Sequence, residues 1–232
     1  EHQPVFNTFS KIPVISISNA QRRPVPQAHW VRTIHHGLPE NLLTPQPARQ
    51  SYLAVLGRIA PEKGVDRAIR IATRCGIPLK IAAKVDRADQ EYYDELIKPL
   101  IADNPLVEFI GEISDREKPD FLSGAIGLLV PIDWPEPFGL VMIEAMACGT
   151  PVIAYNRGSV PEIIEDGLTG FIVEDEISAI SSVGRLSMLN RDAIRKQFET
   201  RFTARRMALD YLAAYRSLME AKPRFKLVAS AE

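Results

Sequence analysis

Two basic residues on one short loop, and two carboxylates around one helix start, are the residues of this chain best suited to chemistry. The loop is Gly57-Arg58-Ile59-Ala60-Pro61-Glu62-Lys63-Gly64. Gly57 and Gly64 allow backbone angles and close approaches that a side chain forbids, and Pro61 stiffens the path between them. Arg58 offers a planar fork of donors and Lys63 a mobile point charge, both suited to an anion such as a phosphate. A helix beginning near Gly64 or Val65 would aim its free N–H groups and positive dipole end at the same place. The same residue types also make an ordinary polar loop with two solvated cations. The loop is not the dinucleotide G-x-G-x-x-G pattern, and the chain contains no G-x-x-x-x-G-K-[ST].

The carboxylates belong to the run Pro131-Ile132-Asp133-Trp134-Pro135-Glu136-Pro137-Phe138-Gly139-Leu140-Val141-Met142-Ile143-Glu144-Ala145-Met146-Ala147-Cys148-Gly149-Thr150-Pro151. Pro137 holds Glu136 out of helical geometry and so in a loop. A helix should start near Gly139 and stop at Gly149, a C-terminal glycine followed shortly by proline. The amides of Gly139, Leu140 and Val141 then form a second nest for an anion or a hydroxyl. Carboxylates accept hydrogen bonds from vicinal hydroxyls, which is sugar chemistry. Glu136 also reads as a charged loop residue and Glu144 as a solvated helix position. Yet Glu144 sits among Val141, Met142, Ile143, Ala145 and Met146, where an unpartnered carboxylate is costly to bury, and that favours a ligand contact.

The elements that must position these groups alternate. Apolar runs at Tyr52–Leu56, Leu79–Ala83, Val107–Ile110, Ile126–Val130, Val152–Tyr155 and Gly170–Val173 read as strands. Helical periods lie between them near 64–75, 89–102, 115–124, 139–148 and 159–166. Strands that are apolar nearly throughout are covered on both faces, as in a parallel sheet, and alternating β and α units predict a doubly wound, Rossmann-like α/β domain. Ligands of such folds bind at the carboxyl ends of the strands, where both motifs fall. Helices are expected at 176–189, 191–199 and 203–221, the last carrying an apolar stripe of Met207, Tyr211, Leu212, Tyr215, Leu218 and Met219 read as a packing face. Seven of the 18 prolines fall between Pro4 and Pro47, so the first fifth reads as extended, turning chain. Within it 12–18 and 30–34 are short strands, and Ser18 or Asn19 caps a brief helix through Ala20–Arg23. The division expected is 1–49, 50–200 and 201–232.

Composition excludes several classes. The 232 residues are 46% hydrophobic and 25% charged, which is globular rather than disordered or fibrous. Twenty-eight Lys plus Arg balance 29 Asp plus Glu for a net charge of -1, so nothing pulls the whole chain toward nucleic acid or an anionic membrane. Cys75 and Cys148 stand apart with no Cys/His cluster, which argues against a zinc site or disulfide framework and for a reducing, cytoplasmic setting. No apolar stretch approaches the roughly 20 residues of a membrane span. The start Glu1-His2-Gln3-Pro4 is too polar for a secretory signal and lacks Met, as expected of a piece of a longer reading frame.

Together the two runs resemble family-four glycosyltransferases, retaining enzymes of the GT-B fold. Gly57-Arg58-x-x-Pro61-Glu62-Lys63-Gly64 is similar to the family's phosphate loop, and Glu136-x7-Glu144 in its setting is similar to the family's E-x7-E element. Gly158-Ser159-Val160-Pro161-Glu162 and Asp166-Gly167-x-Thr169-Gly170-Phe171 extend the likeness, which covers roughly residues 50 to 216. The resemblance implies that this is the C-terminal, donor-binding half of such an enzyme. Arg58 and Lys63 would bind the donor diphosphate on the Gly57 loop and offset charge on the departing nucleotide. Glu136 would contact the transferred sugar, the amides after Phe138 (Gly139, Leu140 and Val141) its hydroxyls or phosphate, and Glu144 the ribose hydroxyls. Backbone near Ile113 would meet the nucleobase. No metal and no cofactor are implied, and UDP-glucose is the donor it suggests first.

The chain also departs from that pattern. Ala82-Ala83-Lys84-Val85-Asp86 replaces a glycine-rich stretch, leaving Lys84 either to reach a phosphate or sugar or to pair on the rim with Asp86 or Asp89. Residues 1–49 resemble only the tail of an acceptor domain and the interdomain connection, in which His35 and His36 read as hinge residues rather than catalysts. The acceptor is unknown from sequence. A free-standing nucleotide-sugar-binding module completed by an acceptor-domain chain or a second copy is one alternative, and a sugar-nucleotide epimerase another.

Overall fold

The computed structural model describes residues 3–220. Six strands, β3 (Tyr52–Ile59), β4 (Leu79–Val85), β5 (Val107–Gly111), β6 (Ala125–Val130), β7 (Val152–Tyr155) and β8 (Gly170–Val173), form one sheet in the order β5-β4-β3-β6-β7-β8. Every pairing is parallel. Two smaller strands precede them, β1 (Val14–Ser16) and β2 (Trp30–Thr33), themselves parallel. A short helix, α1 (Gln3–Thr8), buries nothing.

Alternation along each strand sends neighbouring side chains to opposite faces, and here both faces are dry. Ala54, Ala82, Leu128, Val152 and Ala154 join one core, with α5 (Lys118–Ser123), α6 (Leu140–Ala147) and α9 (Arg191–Arg201) over it. Leu53, Val55, Ile81, Leu129, Ile153 and Phe171 join the other, under α2 (Val65–Cys75) and α8 (Glu176–Val183). A fully buried Leu or Phe contributes about 1.5–3 kcal/mol by leaving water, and burial on both sides is what forces the near-continuous apolar strands. Cys148 belongs to the first core, and both cysteines are free thiols.

Several expected elements differ, each for a local reason. The helix expected over 89–102 is broken into α3 (Gln90–Tyr92), a π turn at Tyr93–Ile97 and α4 (Lys98–Ala102). Pro99 has no N–H to give the preceding turn, which widens. The helix expected over 159–166 is only α7 (Val160–Ile163), because Ile164 is extended and Thr169 folds the chain back onto Glu165 through hydrogen bonds of 2.8 and 2.9 Å. That expected over 176–189 ends at Val183, with a 3-10 turn at Leu186–Met188. β3 runs on through Gly57 and Arg58 to Ile59, so the basic loop begins inside the strand. The brief helix near the start is a 3-10 turn, Ala20–Arg22, and Ser18 rather than Asn19 caps it, its Oγ accepting from the Gln21 amide at 3.0 Å.

The last helix, α10 (Ala204–Glu220), corrects the reading of its stripe as one packing face. Ala214 is its buried residue, whereas Leu212, Tyr215 and Met219 are 49%, 53% and 72% exposed. The apolar positions occupy two faces of the helix, and only one of them packs. Residues 221–232, the end of the expected 201–232 segment and the last residue of its expected helix included, lie outside the described residues.

Candidate functional site

The sheet order places the topological switch between β3 and β6, whose neighbours lead away in opposite directions. That reversal opens a crevice at the strands' carboxyl ends. A cavity of about 300 Å³ lies there, lined by Leu56, Gly57 and Arg58 from β3, Lys63 from the following loop, and Glu136, Phe138, Gly139, Leu140 and Val141 from the segment after β6. A second, of about 290 Å³, carries Ala83, Glu112, Ile113, Lys118 and Glu144, and shares Gly57, Leu140 and Val141 with the first. Ten of the eleven residues expected at the site on sequence line one cavity or the other.

Lys84 does not. It is 57% exposed, and its ammonium lies 2.9 Å from Asp86 Oδ1. That hydrogen bond and the Asp86 charge hold its pKa above the ordinary value and depress that of Asp86. The rim position is the one observed.

Within the first cavity Lys63 Nζ donates to Glu136 Oε2 at 2.7 Å, and Trp134 Nε1 donates to the same oxygen at 2.9 Å. The ammonium also stands 4.8 Å from the centroid of the Trp134 ring, a cation–π contact. Glu136 is thereby buried with its charge compensated and one carboxylate oxygen, Oε1, unclaimed among the described residues. Arg58 is held differently. Its guanidinium bonds Glu62 at 2.7 Å and lies 3.3 and 3.8 Å from Asp89 and Asp86.

The loop that carries Glu136 is clasped from behind. Ser159 donates its amide to the Glu136 carbonyl and its hydroxyl to the Phe138 carbonyl, both at 2.9 Å. Gly158, at φ +57°, lies so close that a Cβ would stand 2.2 Å from the Glu136 oxygen. Asp133 donates its amide to the Glu62 carbonyl at 2.9 Å, which ties the two motif loops together.

Of the two helix starts expected to face the crevice, one does. Gly139 caps α6 in the left-handed region, and Gly139, Leu140 and Val141 join the lining. The start of α2 does not: Gly64 packs on the Pro131 carbonyl and Val65 is buried, so neither lines the cavity. Glu144 is only 13% exposed, but Lys118 Nζ donates to its Oε1 at 2.9 Å and reaches Asp115 at 2.9 Å. Burial opposes the Lys118 charge, and the two carboxylates more than reverse this, raising its pKa. The cost of burying Glu144 is therefore met inside the protein, and the sequence-based argument from that cost to a ligand falls. What remains is its place in the second cavity beside Ile113.

Sequence reasoning missed Lys118, Trp134 and His36. Lys118 has no motif around it, and Trp134 read as part of a proline-rich loop. The two histidines, read alike as hinge residues, divide. His35 reaches Glu162 at 3.4 Å, while His36 lines the first cavity with its ring 5.0 Å from that of Phe138. No group of three or more metal-ligating side chains occurs among the described residues, and no helix among them is long and apolar enough to cross a membrane.

Sheet order, strand direction and the position of the crevice define a Rossmann-like domain of the GT-B type. The chain belongs to the group 1 family of glycosyl transferases, whose family model matches residues 44–203. It is 29% identical over 177 residues to the D-inositol 3-phosphate glycosyltransferase of Mycolicibacterium smegmatis, covering 69% of this chain and 39% of that protein. It is 27% identical over 168 residues to an uncharacterized 41.2 kDa protein in the cps region of Klebsiella pneumoniae, covering 70% and 45%. Among solved structures, Anabaena Alr3699/HepE, crystallised with UDP and glucose, superposes with a TM-score of 0.82 at 21% identity over 92% of this chain and 66% of that one. Sucrose-phosphate synthase from Thermosynechococcus elongatus superposes with a TM-score of 0.75 at 27% identity, over 90% and 59%. The chain thus spans less than half the length of these two curated relatives.

Proposed function

We propose that this chain supplies the donor site for retaining transfer of a sugar from a nucleoside diphosphate sugar. One observation carries the reading: a single cavity at the switch point gathers two cations, a carboxylate with a free oxygen and the start of α6. In this reading the diphosphate rests against Arg58, Lys63 and the Gly139–Val141 amides, and the sugar lies against Glu136. The ribose and base occupy the second cavity, on Glu144 and the backbone near Ile113. As the bond between the anomeric carbon and the phosphate oxygen breaks, its electron pair stays with the diphosphate. Arg58 and Lys63 stabilise that charge where it develops, which is the largest electrostatic contribution such a site can make. An acceptor hydroxyl then attacks the oxocarbenium-like sugar on the face the diphosphate leaves, and its proton passes to the departing phosphate oxygen. The acceptor side, and transfer by a whole protein, belong to the proposal, as do the cytoplasmic setting and UDP-glucose as donor. The glycosyltransferase activity named for the M. smegmatis relative supports it, as does the crystallisation of Anabaena Alr3699/HepE with UDP and glucose.

Calorimetric titration against UDP, GDP and ADP and their glucose forms tests the reading. At least one nucleoside diphosphate should bind, with competition from its sugar form. Absence of binding across the panel would remove the donor site.

A further inference from the structure

His36 is a polar group of the first cavity that neither motif loop supplies. It follows β2 in a stretch whose backbone is held from two sides. Arg206 of α10 donates through Nη2 to the carbonyls of His35 and His36 at 2.8 and 2.9 Å. Two residues on, the Leu38 amide donates to Phe202 and the Leu38 carbonyl accepts from Ala204, at 2.9 and 2.8 Å. His36 therefore lines the cavity from a fixed backbone, and its imidazole stands edge-on to Phe138, another residue of that lining, at an interplanar angle of 81°. Phe138 immediately precedes the Gly139 start of α6.

The hydrogen bond made to His36 ends on its carbonyl oxygen, and neither ring nitrogen has a protein partner among the described residues. Burial, then Arg206, then His35 push its pKa down. A neutral imidazole carries one donor and one acceptor nitrogen. The same cavity offers Glu136 Oε1 as an acceptor, the α6 amides as donors, and apolar walls from Ile17, Val55 and Phe138. Sparse polar groups among apolar ones fit a ring with hydroxyls at its edge and C–H bonds on its face.

We propose that His36 contacts the transferred sugar, hydrogen-bonding one of its hydroxyls and so helping to set which sugar is accepted. The inference rests on the donor-site reading and assigns a residue from outside the motif loops to the sugar rather than to the nucleotide.

The test is titration of the wild-type chain, His36→Ala and His36→Gln with UDP and with UDP-glucose, and with GDP and GDP-mannose in parallel, alongside melting curves. One hydrogen bond to a ligand corresponds to roughly threefold to tenfold in affinity. His36→Ala should lose about that factor for the nucleotide sugar and keep its affinity for the diphosphate. His36→Gln, which restores a donor and an acceptor, should recover most of the loss. If the wild type binds both ligands and His36→Ala loses nothing, or loses the two equally, His36 has no sugar contact and the assignment is overturned. A wild-type chain that binds neither these pairs nor ADP and ADP-glucose overturns the donor-site reading itself, and this inference with it.

Discussion

Lys63 and Glu136, 73 residues apart in the chain, meet at 2.7 Å in the wall of the switch-point cavity. The contact links the two motifs in space and gives Lys63 two tasks. It compensates a carboxylate that is 10% exposed, and in the proposed site its remaining donors serve the diphosphate. Arg58, whose partners are Glu62, Asp86 and Asp89, makes no contact with Glu136 and has only the second task in the proposed site.

Replacing each cation should therefore give different results. Lys63→Ala leaves Glu136 buried with only Trp134 as donor, and the chain should lose about 1–3 kcal/mol of stability together with diphosphate affinity. Arg58→Ala breaks half-exposed pairs with Glu62 and Asp86 worth about 0–1 kcal/mol and a further one at 3.3 Å with the more buried Asp89, so it should cost less stability than Lys63→Ala and lower affinity on the order of tenfold. Melting curves paired with calorimetry would show it. Equal melting temperatures for the two variants would mean that Lys63 does not hold Glu136.

Glu144 and Lys118 allow a sharper test of where the ribose lies. If Glu144 accepts hydrogen bonds from ribose hydroxyls, wild-type protein should prefer UDP to 2′-deoxy-UDP by roughly threefold to tenfold. Glu144→Ala should erase the preference by lowering affinity for UDP only. A preference that survives the substitution would move the ribose elsewhere.

Much of this was legible in the chain before its fold was known. Strands buried on both faces left near-continuous apolar runs, and Pro137 with Gly139 and Gly149 marked the loop and limits of α6. What could not be read was pairing across distance. Nothing near Lys118 in sequence announces Glu144, and nothing in Trp134 announces a shared oxygen on Glu136. The two adjacent histidines look alike until the chain path sends one ring toward Glu162 and the other into the cavity. The start of α2 was misplaced because a basic loop before a helix suggests an anion site, whereas Gly64 is used to pack against Pro131.

Gly158 is the backbone position most tightly bound to the site. With φ at +57° and the Glu136 backbone where a Cβ would go, alanine there is both strained and clashing. Gly158→Ala should destabilise the chain by about 2 kcal/mol or more and displace Glu136, so that nucleotide-sugar affinity falls even at temperatures where the variant is folded. A variant with unaltered melting and binding would show that the clasp from Ser159 is dispensable.

Glu162 ties the segment after β1 to the six-stranded domain, and its titration should be visible in stability. Its Oε1 accepts from the Ala20 amide and its Oε2 from the Asn19 amide, each at 2.8 Å, with His35 Nε2 at 3.4 Å. Burial alone would raise its pKa; the two amides and His35 more than reverse that, and the pKa lies below the ordinary 4.5. The unfolded chain then binds the proton more readily than the native one. Stability from this group is complete above the unfolded value and is lost as pH falls through the native one. Charge-assisted bonds of this kind contribute about 2 kcal/mol. Wild-type protein should accordingly melt above Glu162→Gln at neutral pH, and the gap should close as pH falls below the ordinary 4.5 and through the lowered native value. Melting temperatures taken across that range decide the matter, because a gap that stays constant on acidification means the carboxylate's charge is not what holds Asn19 and Ala20 in place.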